Sequence, residues 1–393
     1  MINWKLKMPT CQPIGLDIGH NSIKMIQLVI NEGHISVLAA DKVRIDPAIN
    51  GDAEERRSFV ISTVKQMLAE GNFRGRNVIS CLPSDRLKIT SLRVTQADSD
   101  QIEQVLRKEV AERFGLDPET DTVKYLVAGN VTQGDEIKNE LILFAADNET
   151  IKSHIEMLEE AQLKPVGIDT VPFALLRSFK RSLRRQEDKE QTVVFVDVGS
   201  QFTTVVFGRG GEICFAKQIR IGGEKFDQEI AAKLGISINE AQRLRSTLRA
   251  ERSRNFGIGP SSHSQSSMGT ENFDAPTRQV MVDSIGTIAE ELAREISLCF
   301  RYYTVTFRGK RIQRAVLAGG EAYENILLNV LKRQLAVEIE VAQPLRGFEM
   351  TNVNFDSDRR GLLCEWAVAV GLGLKGWNPE SVLSDTGNDY ERN

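Results

Sequence analysis

The stretch Gly15-Leu16-Asp17-Ile18-Gly19 decides the fold, because a close copy, Val196-Asp197-Val198-Gly199, stands 180 residues further along the chain. Each copy ends an apolar run, passes through a short polar turn and enters a second β-rich run. This pattern is typical of an antiparallel hairpin. A third β-rich run follows in both places, and the turn before it keeps the register, with Glu32 matching Glu212. The sequence therefore predicts an internal duplication of a three-strand meander.

The two hairpins share their chemistry as well as their spacing. A strand that ends in Asp-x-Gly and turns through small or polar residues presents several backbone N–H groups to one point, and its glycine lets a phosphate approach closely. One such hairpin by itself is more often only a turn with a structural glycine. Two copies that face each other would clamp a polyphosphate, while Asp17 and Asp197 hold a hydrated Mg²⁺. The pair, rather than either copy, predicts a nucleotide site.

A third motif lies near the end of the second half. The residues Leu317–Ala322 read as a strand that runs into the double glycine Gly319-Gly320, followed by Glu321. The missing side chains would let a flat adenine or ribose pack on the backbone. The alternative interpretation is a plain strand-to-helix turn. Together with both hairpins, the motif gives the order phosphate, phosphate, adenosine along the chain.

Composition excludes several classes of protein. The 393 residues carry 50 Lys and Arg against 54 Asp and Glu, and no long basic block that would neutralise the phosphates of a nucleic acid. The five cysteines are scattered, so neither a disulfide framework nor a zinc site is predicted. No uncharged apolar run reaches the roughly 18 residues that a membrane-spanning helix needs. We expect a cytoplasmic protein with no direct membrane insertion and no nucleic-acid partner.

Changes in composition predict where the chain divides. The run 86–165 is typical of a compact α+β insert, and the Gly- and Ser-rich run 255–277 has too little apolar content to predict an ordered element. The predicted segments are a leader (1–13), subdomain 1A (14–85 and 166–190, with its linker), the inserted subdomain 1C (86–165), subdomain 2A (191–222 and 304–378, with a final interdomain helix), subdomain 2B (223–303, with the mobile loop 255–277) and a polar tail (379–393).

The order of these motifs resembles the actin, Hsp70 and sugar kinase superfamily over nearly the whole chain. Within it, the sequence resembles PilM, the actin-like protein of type IV pilus assembly, and next FtsA, the actin homologue of bacterial cell division. The insert stands where both carry a distinctive small subdomain, which separates the chain from sugar kinases and chaperones. The residues that carry the resemblance are Gly15–Gly19 with Ser22 and Lys24, Gly167–Leu175 (the linking helix), Val196–Thr204, Ile221–Gly223, Leu234–Ser237 with Ala241, and Ala367–Leu374 (the last interdomain helix).

The resemblance implies an α/β, duplicated actin/Hsp70-like (ribonuclease H-like) two-domain fold with a PilM/FtsA-type small inserted subdomain. It also implies ATP and Mg²⁺ as ligands, with Lys24 near the terminal phosphates and Thr203 and Thr204 along the second hairpin. Gln242 and Arg245 stand where relatives often have Glu and Lys for the ribose and adenine, and arginine is no simple copy of lysine.

The complete predicted site combines the motifs with the resemblance. Asp17 and Asp197 would hold Mg²⁺ through water molecules. The predicted nucleotide-binding residues are Asp17, Gly19, His20, Asn21, Ser22, Lys24, Asp197, Gly199, Ser200, Gln201, Thr203, Gly222, Gly223, Glu224, Gln242, Arg245, Gly319, Gly320 and Glu321.

One departure from the superfamily concerns catalysis. Members that hydrolyse ATP usually place Glu or Gln just before the proline of the linking helix, to orient the attacking water. Here that position is Val171, which can neither accept a proton nor align water. Asp169 lies nearby, but a carboxylate ahead of Pro172 is more often a helix cap. We therefore expect at most a weak ATPase, and no catalytic residue is assigned.

The resemblance implies a scaffold of type IV pilus assembly, and through it a part in cell motility. In PilM, a short cytoplasmic N-terminal peptide of the inner-membrane protein PilN docks in a groove formed partly by the inserted subdomain. We expect the same kind of partner here, with nucleotide changing the affinity for it. Other platform or motor proteins and self-association stay open. The alternatives are an FtsA-like division protein, whose basic amphipathic C-terminal helix the run 376–393 does not match, and a small-molecule kinase.

Overall fold

Strands and helices alternate along the chain, as expected for an α/β protein. The computed structural model describes residues 10–31, 33–95, 99–133, 136–180, 191–255, 274–307, 312–351, 353, 355 and 363–375. Within them the strands are β1 (Thr10–Cys11), β2 (Ile14–Ile18), β3 (Ser22–Asn31), β4 (His34–Arg44), β5 (Asn77–Cys81), β6 (Lys88–Thr95), β7 (Thr122–Gln133), β8 (Glu136–Ala146), β9 (Lys164–Asp169), β10 (Thr192–Val198), β11 (Thr203–Arg209), β12 (Glu212–Ile219), β13 (Ile312–Ala318) and β14 (Glu338–Val341).

Aspartate side chains cap several of the helices. Asp52 accepts hydrogen bonds from the N–H groups of Glu54 and Glu55 at 2.8 and 3.0 Å, and Asp147 accepts one from Thr150 at 2.7 Å. The helices in the described ranges are α1 (Ala53–Glu70), α2 (Ser99–Phe114), α3 (Asn148–Glu160), α4 (Val171–Phe179), α5 (Gly223–Leu234), α6 (Ile238–Asn255), α7 (Ala275–Thr306), α8 (Asn325–Gln334) and α9 (Ala367–Gly373). Short 3₁₀ turns span Pro47–Gly51, Gly320–Tyr323 and Cys364–Trp366.

Two of the three sheets repeat one topology. The first runs β4-β3-β2-β5-β9, with β1 also beside β3, and the second runs β12-β11-β10-β13-β14. In each sheet, neighbouring strands of the meander pair in antiparallel fashion. The two strands beyond the meander add to the sheet by parallel pairing. The predicted duplication of the meander is confirmed, and it extends to the whole five-strand order. The central strands are buried on both faces, which explains their apolar runs.

The insert folds into the third sheet, ordered β6-β8-β7, and packs on both faces. Leu141 and Leu143 of β8 share an apolar cluster with Leu106 of α2. The alternate residues Ile142 and Phe144 belong instead to the large core around the second sheet. Because successive side chains of a strand point to opposite faces, β8 joins the insert's own helix to the second half of the chain.

A buried carboxylate fastens the insert to α7. Glu140 is 1% exposed and accepts hydrogen bonds from Arg93 Nε of β6, at 2.9 Å, and from the hydroxyl of Tyr302. Arg93 also donates to Thr306 Oγ1 at 2.7 Å. Glu140 is therefore paired with a guanidinium and a hydroxyl donor, as a buried carboxylate requires.

Two helices each pack on the sheet of the other half and cross each other. Helix α4 follows the last strand of the first sheet but packs on β11 and β12, whereas α9, near the end of the second half, packs on β2, β3 and β5. At the crossing, a Cβ on Gly371 would lie far inside van der Waals contact with the carbonyl oxygen of Ala174. A Cβ on Gly15 would collide with the backbone of Ala369 in the same way. Glycine therefore sets how closely the halves approach.

The structure differs from the sequence predictions at several element ends. The predicted linking helix Gly167–Leu175 is wrong at its start, because Gly167–Asp169 belongs to β9 and α4 begins at Val171. Helix α7 begins inside the predicted loop 255–277, since Asp274 caps it and Pro276 fits its first turn. Strand β14 and helix α8 had no predicted counterpart.

Some predictions lie outside the described residues. They are most of the leader (1–9), the charged segment 181–190, the centre of the predicted loop (256–273) and the tail (376–393). The subdomain boundaries stay predictions.

We predict that Gly371→Ala destabilises the protein by roughly 1–3 kcal/mol, because the added methyl group forces α9 away from Ala174. The matched control is Gly286→Ala in α7, where a Cβ meets no atom within 4 Å. That change should instead stabilise by about 0.5–1 kcal/mol, since alanine favours a helix. Urea unfolding of both variants measures the difference, and equal stabilities would contradict the close crossing.

Candidate functional site

The two predicted turns have the same backbone geometry. In the first, Gly19 N–H donates to the carbonyl of Ser22 at 2.9 Å, and in the second, Gly199 N–H donates to Phe202 at 3.0 Å. A Cβ on either glycine would lie 3.1 Å from the oxygen that closes its own turn. The match of Asp-x-Gly in the sequence therefore reflects one conformation built twice.

An ion pair stands at the end of the first hairpin. Asp17 of β2 and Lys24 of β3 are direct register partners, and Lys24 Nζ lies 2.9 Å from Asp17 Oδ2. Their side chains are only 14% and 9% exposed. Burial by itself lowers the pKa of Lys24, but the charge of Asp17 and the hydrogen bond outweigh it, so the pKa of Lys24 is raised. Lys24 therefore stays charged.

Asp197 of β10 faces this pair from the second half. Burial, together with the negative charge of Asp17, raises the pKa of Asp197 from 3.8 to about 7, and Lys24 opposes the shift. The charges of the two predicted metal ligands thus act on each other, and Lys24 acts on both carboxylates.

Residues after the two turns also meet directly. His20 Nε2 of the first turn lies 3.9 Å from Glu224 Oε2, which begins α5 in the second half. On its other side, Asn50 Nδ2 lies 3.3 Å from the same nitrogen. Burial lowers the pKa of His20, while Glu224 raises it and Arg56 lowers it further. The turns therefore face each other at short range.

The start of α5 holds the second turn in place. Gly223 N–H donates to the carbonyl of Gly199 at 3.0 Å, and Glu224 N–H donates to Ser200 at 2.8 Å. A Cβ on Gly222 would collide with the carbonyl of Ser200, so this approach needs glycine. Thr203, which is 0% exposed, donates its hydroxyl to Ile221 at 2.7 Å. Its hydroxyl secures the loop ahead of Gly222.

The double glycine closes the site from a third side. Gly319 has φ of 91°, and a Cβ there would collide with the carbonyl of Val198 beside the second turn. Its N–H donates to Cys364 at 3.1 Å, which places the segment before α9 next to it. Gly320 opens onto free space. Only glycine satisfies both the positive φ and the close approach.

Arg245 and Glu321 contact each other. Arg245, 6% exposed, donates to Asp227 Oδ1 and to Glu321 Oε2, each at 2.6 Å. Arg249 lies 2.5 Å from Glu321 and 3.4 Å from Glu324. Burial raises the pKa of Glu321, but the two arginines outweigh it and lower that pKa to about 2. This buried network binds α5 and α6 to the turn after the double glycine.

The remaining predicted residues lie around the same space. Asn21 accepts a hydrogen bond from Ile45 N–H at 3.0 Å, Ser22 begins β3, Gln201 lies in the second turn, and Gln242 is half-buried on α6, three residues before Arg245. The structure therefore gathers the three predicted motifs around one point. The contacts of these residues with a nucleotide stay predictions.

One known protein family matches most of the chain. The family model described as type IV pilus assembly protein PilM matches residues 15–256 and 278–377. This chain belongs to the PilM family. A solved structure, the PilM-PilN type IV pilus biogenesis complex, is similar at 21% identity and a TM-score of 0.70, covering 94% of this chain and 99% of that one.

A second solved structure shows how widely the fold is shared. The ethanolamine utilization protein EutJ from Carboxydothermus hydrogenoformans is similar at 13% identity and a TM-score of 0.52, covering 94% of this chain and 92% of that one. The predicted fold class, an actin-like α/β fold, is confirmed by the family and by these structures.

In this PilM-family chain, the position before Pro172 is apolar in its surroundings as well as in its side chain. Val171 is 8% exposed and belongs to the large core. Asp169, just ahead of it, accepts from Thr170 N–H at 2.8 Å and pairs with Arg177 at 2.9 Å and Lys375 at 3.3 Å. The interpretation of Asp169 as a helix cap is therefore wrong, because the N-cap of α4 is Thr170 and Asp169 instead ties α4 to the end of α9.

Sequence reasoning missed a second ion pair that joins the halves. Lys42 of β4 is the register partner of Lys24, and its Nζ lies 3.1 Å from Glu365 Oε1, just before α9. Glu365 also accepts the hydroxyl of Tyr323, which follows the double glycine. Sequence reasoning also missed Arg56 and Asn50, which contact the first turn. No local pattern marks these residues, because their partners are distant in sequence.

Three further observations concern metal sites, membrane-spanning helices and cavities. In the described part of the chain, no three His, Cys, Asp or Glu side chains lie close enough to form a metal centre by themselves. No helix there is long and apolar enough to cross a membrane. A surface cavity of about 680 Å³ is lined by Ile312 and Glu338, at the far end of β13 from the double glycine.

We predict a pH-dependent effect of Asp197→Asn. The folded-state pKa of Asp197 lies above its ordinary value, so the wild type loses stability as the pH rises from about 4 to about 7. The variant should therefore melt at a higher temperature than the wild type, by a large margin at about pH 8 and by a clearly smaller margin at about pH 5.

The control for this experiment is Asp17→Asn, which leaves Lys24 buried without its carboxylate. It should lower the melting temperature at both pH values, because an unpaired buried charge is costly. An effect of Asp197→Asn that does not change with pH would contradict the charge arrangement.

Proposed function

We propose that this chain is an ATP-binding scaffold of type IV pilus assembly. The observation that carries the proposal is the meeting of Asp17, Lys24 and Asp197 between two turns of one conformation. Membership of the PilM family supplies the process.

The residues present suit a triphosphate with a divalent cation. Asp17 and Asp197 repel each other, and a cation held between them through water would relieve that repulsion. Mg²⁺ would also neutralise phosphate charge beside Lys24. The turn glycines leave room where a Cβ would crowd the backbone, so phosphates can approach the N–H groups.

The nucleotide acts here as a ligand more than as a fuel. Val171 and its apolar neighbours offer no base and no group to orient water. Asp169, the nearest carboxylate along the chain, is held by Arg177 and Lys375. We expect hydrolysis to be slow, so that the bound state persists.

Binding would act through the crossing of α4 and α9. The two turns belong to different halves, and a ligand that contacts both favours the state in which the halves are close. Because α4 and α9 touch at Gly371, any change in the angle between the halves moves both helices. A partner that prefers one angle is then coupled to the nucleotide.

The proposed partner is the cytoplasmic N-terminal peptide of a PilN-like inner-membrane protein. The similar solved structure is of a PilM-PilN complex, which supports this type of partner. The insert also exposes large apolar side chains, Val127 at 53% and Ile137 at 54%. Through that peptide the chain would be held at the inner membrane from the cytoplasmic side.

The nucleotide part is tested by calorimetry and thermal unfolding with ATP and Mg²⁺. At a ligand concentration of about 100 times Kd, binding adds about 2.7 kcal/mol to stability and raises the melting temperature. Lys24→Met should weaken ATP binding by about tenfold or more, because it removes a charge next to the phosphates. Lys65→Met, an equal charge change on the exposed face of α1, should have no effect. The absence of any binding by the wild type would refute the nucleotide site.

The partner part is tested with a synthetic peptide of the PilN-like N-terminus. Val127→Arg and Ile137→Arg should weaken its binding, whereas Leu298→Arg, at an equally exposed position on α7, should not. ATP should change peptide affinity, and the peptide should change ATP affinity by the same factor. Peptide affinity that does not change with ATP would contradict the proposed coupling. The absence of peptide binding would contradict the proposed partner.

A further inference from the structure

The twin turns are held by different donors. In the second turn, two consecutive backbone N–H groups, those of Gly223 and Glu224, donate to the carbonyls of Gly199 and Ser200. The equivalent carbonyls of the first turn belong to Gly19 and His20. Arg56 donates to both carbonyls, NH2 to Gly19 at 2.8 Å and NH1 to His20 at 3.2 Å, and Asn50 adds a second donor to His20. One guanidinium thus replaces two peptide groups.

The position of Arg56 is fixed from several sides. It lies in the first turns of α1, whose start is capped by Asp52. Its NH1 also donates to Asn50 Oδ1, and Asn50 Nδ2 donates to the carbonyl of His20 at 3.3 Å. Burial lowers the pKa of Arg56 and Asp85 raises it, but an arginine stays charged in either case.

Holding a carbonyl also aims the next N–H group. In a trans peptide unit, C=O and N–H point in opposite directions because the unit is planar. With the carbonyls of Gly19 and His20 bound to Arg56, the N–H groups of His20 and Asn21 point away from α1. Neither N–H donates to another residue in the described part of the chain. Both are available to an anion.

We propose that Arg56 is a positioning residue for the first turn: its guanidinium holds two turn carbonyls and thereby aims the N–H groups of His20 and Asn21 at a bound phosphate. This inference rests on the proposed function for its ligand, but the conformation that it describes exists without one. The planar fork is essential, because a lysine carries the charge but cannot bind both carbonyls in one plane.

The first experiment needs no nucleotide. Hydrogen exchange is measured at the amides of Gly19 and Gly199, which make the same bond in the two turns. Arg56→Met and Arg56→Lys should speed exchange at Gly19 by about tenfold and leave Gly199 unchanged. Arg57→Met, on the next residue, which pairs with Glu160 at 2.7 Å instead, should change neither. Unchanged exchange at Gly19, or equal acceleration at both amides, would overturn the proposal.

The second experiment compares ATP with adenosine, using calorimetry. The Arg56 variants should raise the Kd of ATP about tenfold and leave that of adenosine unchanged, because adenosine has no phosphate to meet the turn. If Arg56→Lys binds ATP as the wild type does, charge alone is sufficient and the role of the fork is refuted. An equal loss for both ligands would indicate general damage and would also overturn it.

The two experiments separate the inference from the function on which it rests. A wild type that binds no ATP would refute the nucleotide site, while the exchange rates at Gly19 and Gly199 would still decide whether Arg56 holds the turn. A wild type that binds ATP as well as its Arg56 variants do would refute the positioning role alone. If Arg56→Met does not fold, Arg56→Lys carries both measurements.

Discussion

A small cluster of buried charges where the two halves meet is the constraint on which the rest of the structure depends. Lys24 is paired with Asp17, and Asp197 stands opposite with its pKa raised to about 7. Lys42, which is only partly buried beside Lys24 in the sheet, pairs with the buried Glu365 of the other half. Buried charges are tolerated only with such partners. The fold is therefore stable only while the two halves keep these charges opposite one another.

The crossing of α4 and α9 limits how the two halves can move relative to each other. Glycines at the crossing bring backbone against backbone, and the ion pairs of Asp169 with Arg177 and Lys375 lie beside it. This backbone contact leaves no room for a side chain at Gly371. The structure thus combines a rigid approach distance at Gly371 with charges, near Asp17 and Asp197, whose balance a ligand would alter. The proposed coupling between a nucleotide and a partner would rest on this combination.

The duplicated halves reached one turn geometry by two routes. Backbone amides at the start of α5 hold the second turn, and a side chain from α1 holds the first. The second half also locks its helices with the network around Arg245 and Glu321, which has no counterpart among the contacts of the first turn. A backbone-held turn tolerates side-chain substitution, whereas the first turn depends on one arginine. Duplication therefore preserved the shape more closely than the interactions that hold it.

The sequence by itself determined the meanders, the Asp-x-Gly turns and most helices, because apolar periodicity, capping residues and turn glycines act between near neighbours. It also placed Asp17 and Asp197 as candidates that would meet. It was wrong about the start of the linking helix, since Gly167 is taken up as a strand only by pairing with the distant β5. Only the tertiary structure decided that Glu365 pairs with Lys42 and that Arg56 donates hydrogen bonds to the first turn. Those roles join residues far apart in the chain, and no local pattern carries the geometry that packing imposes.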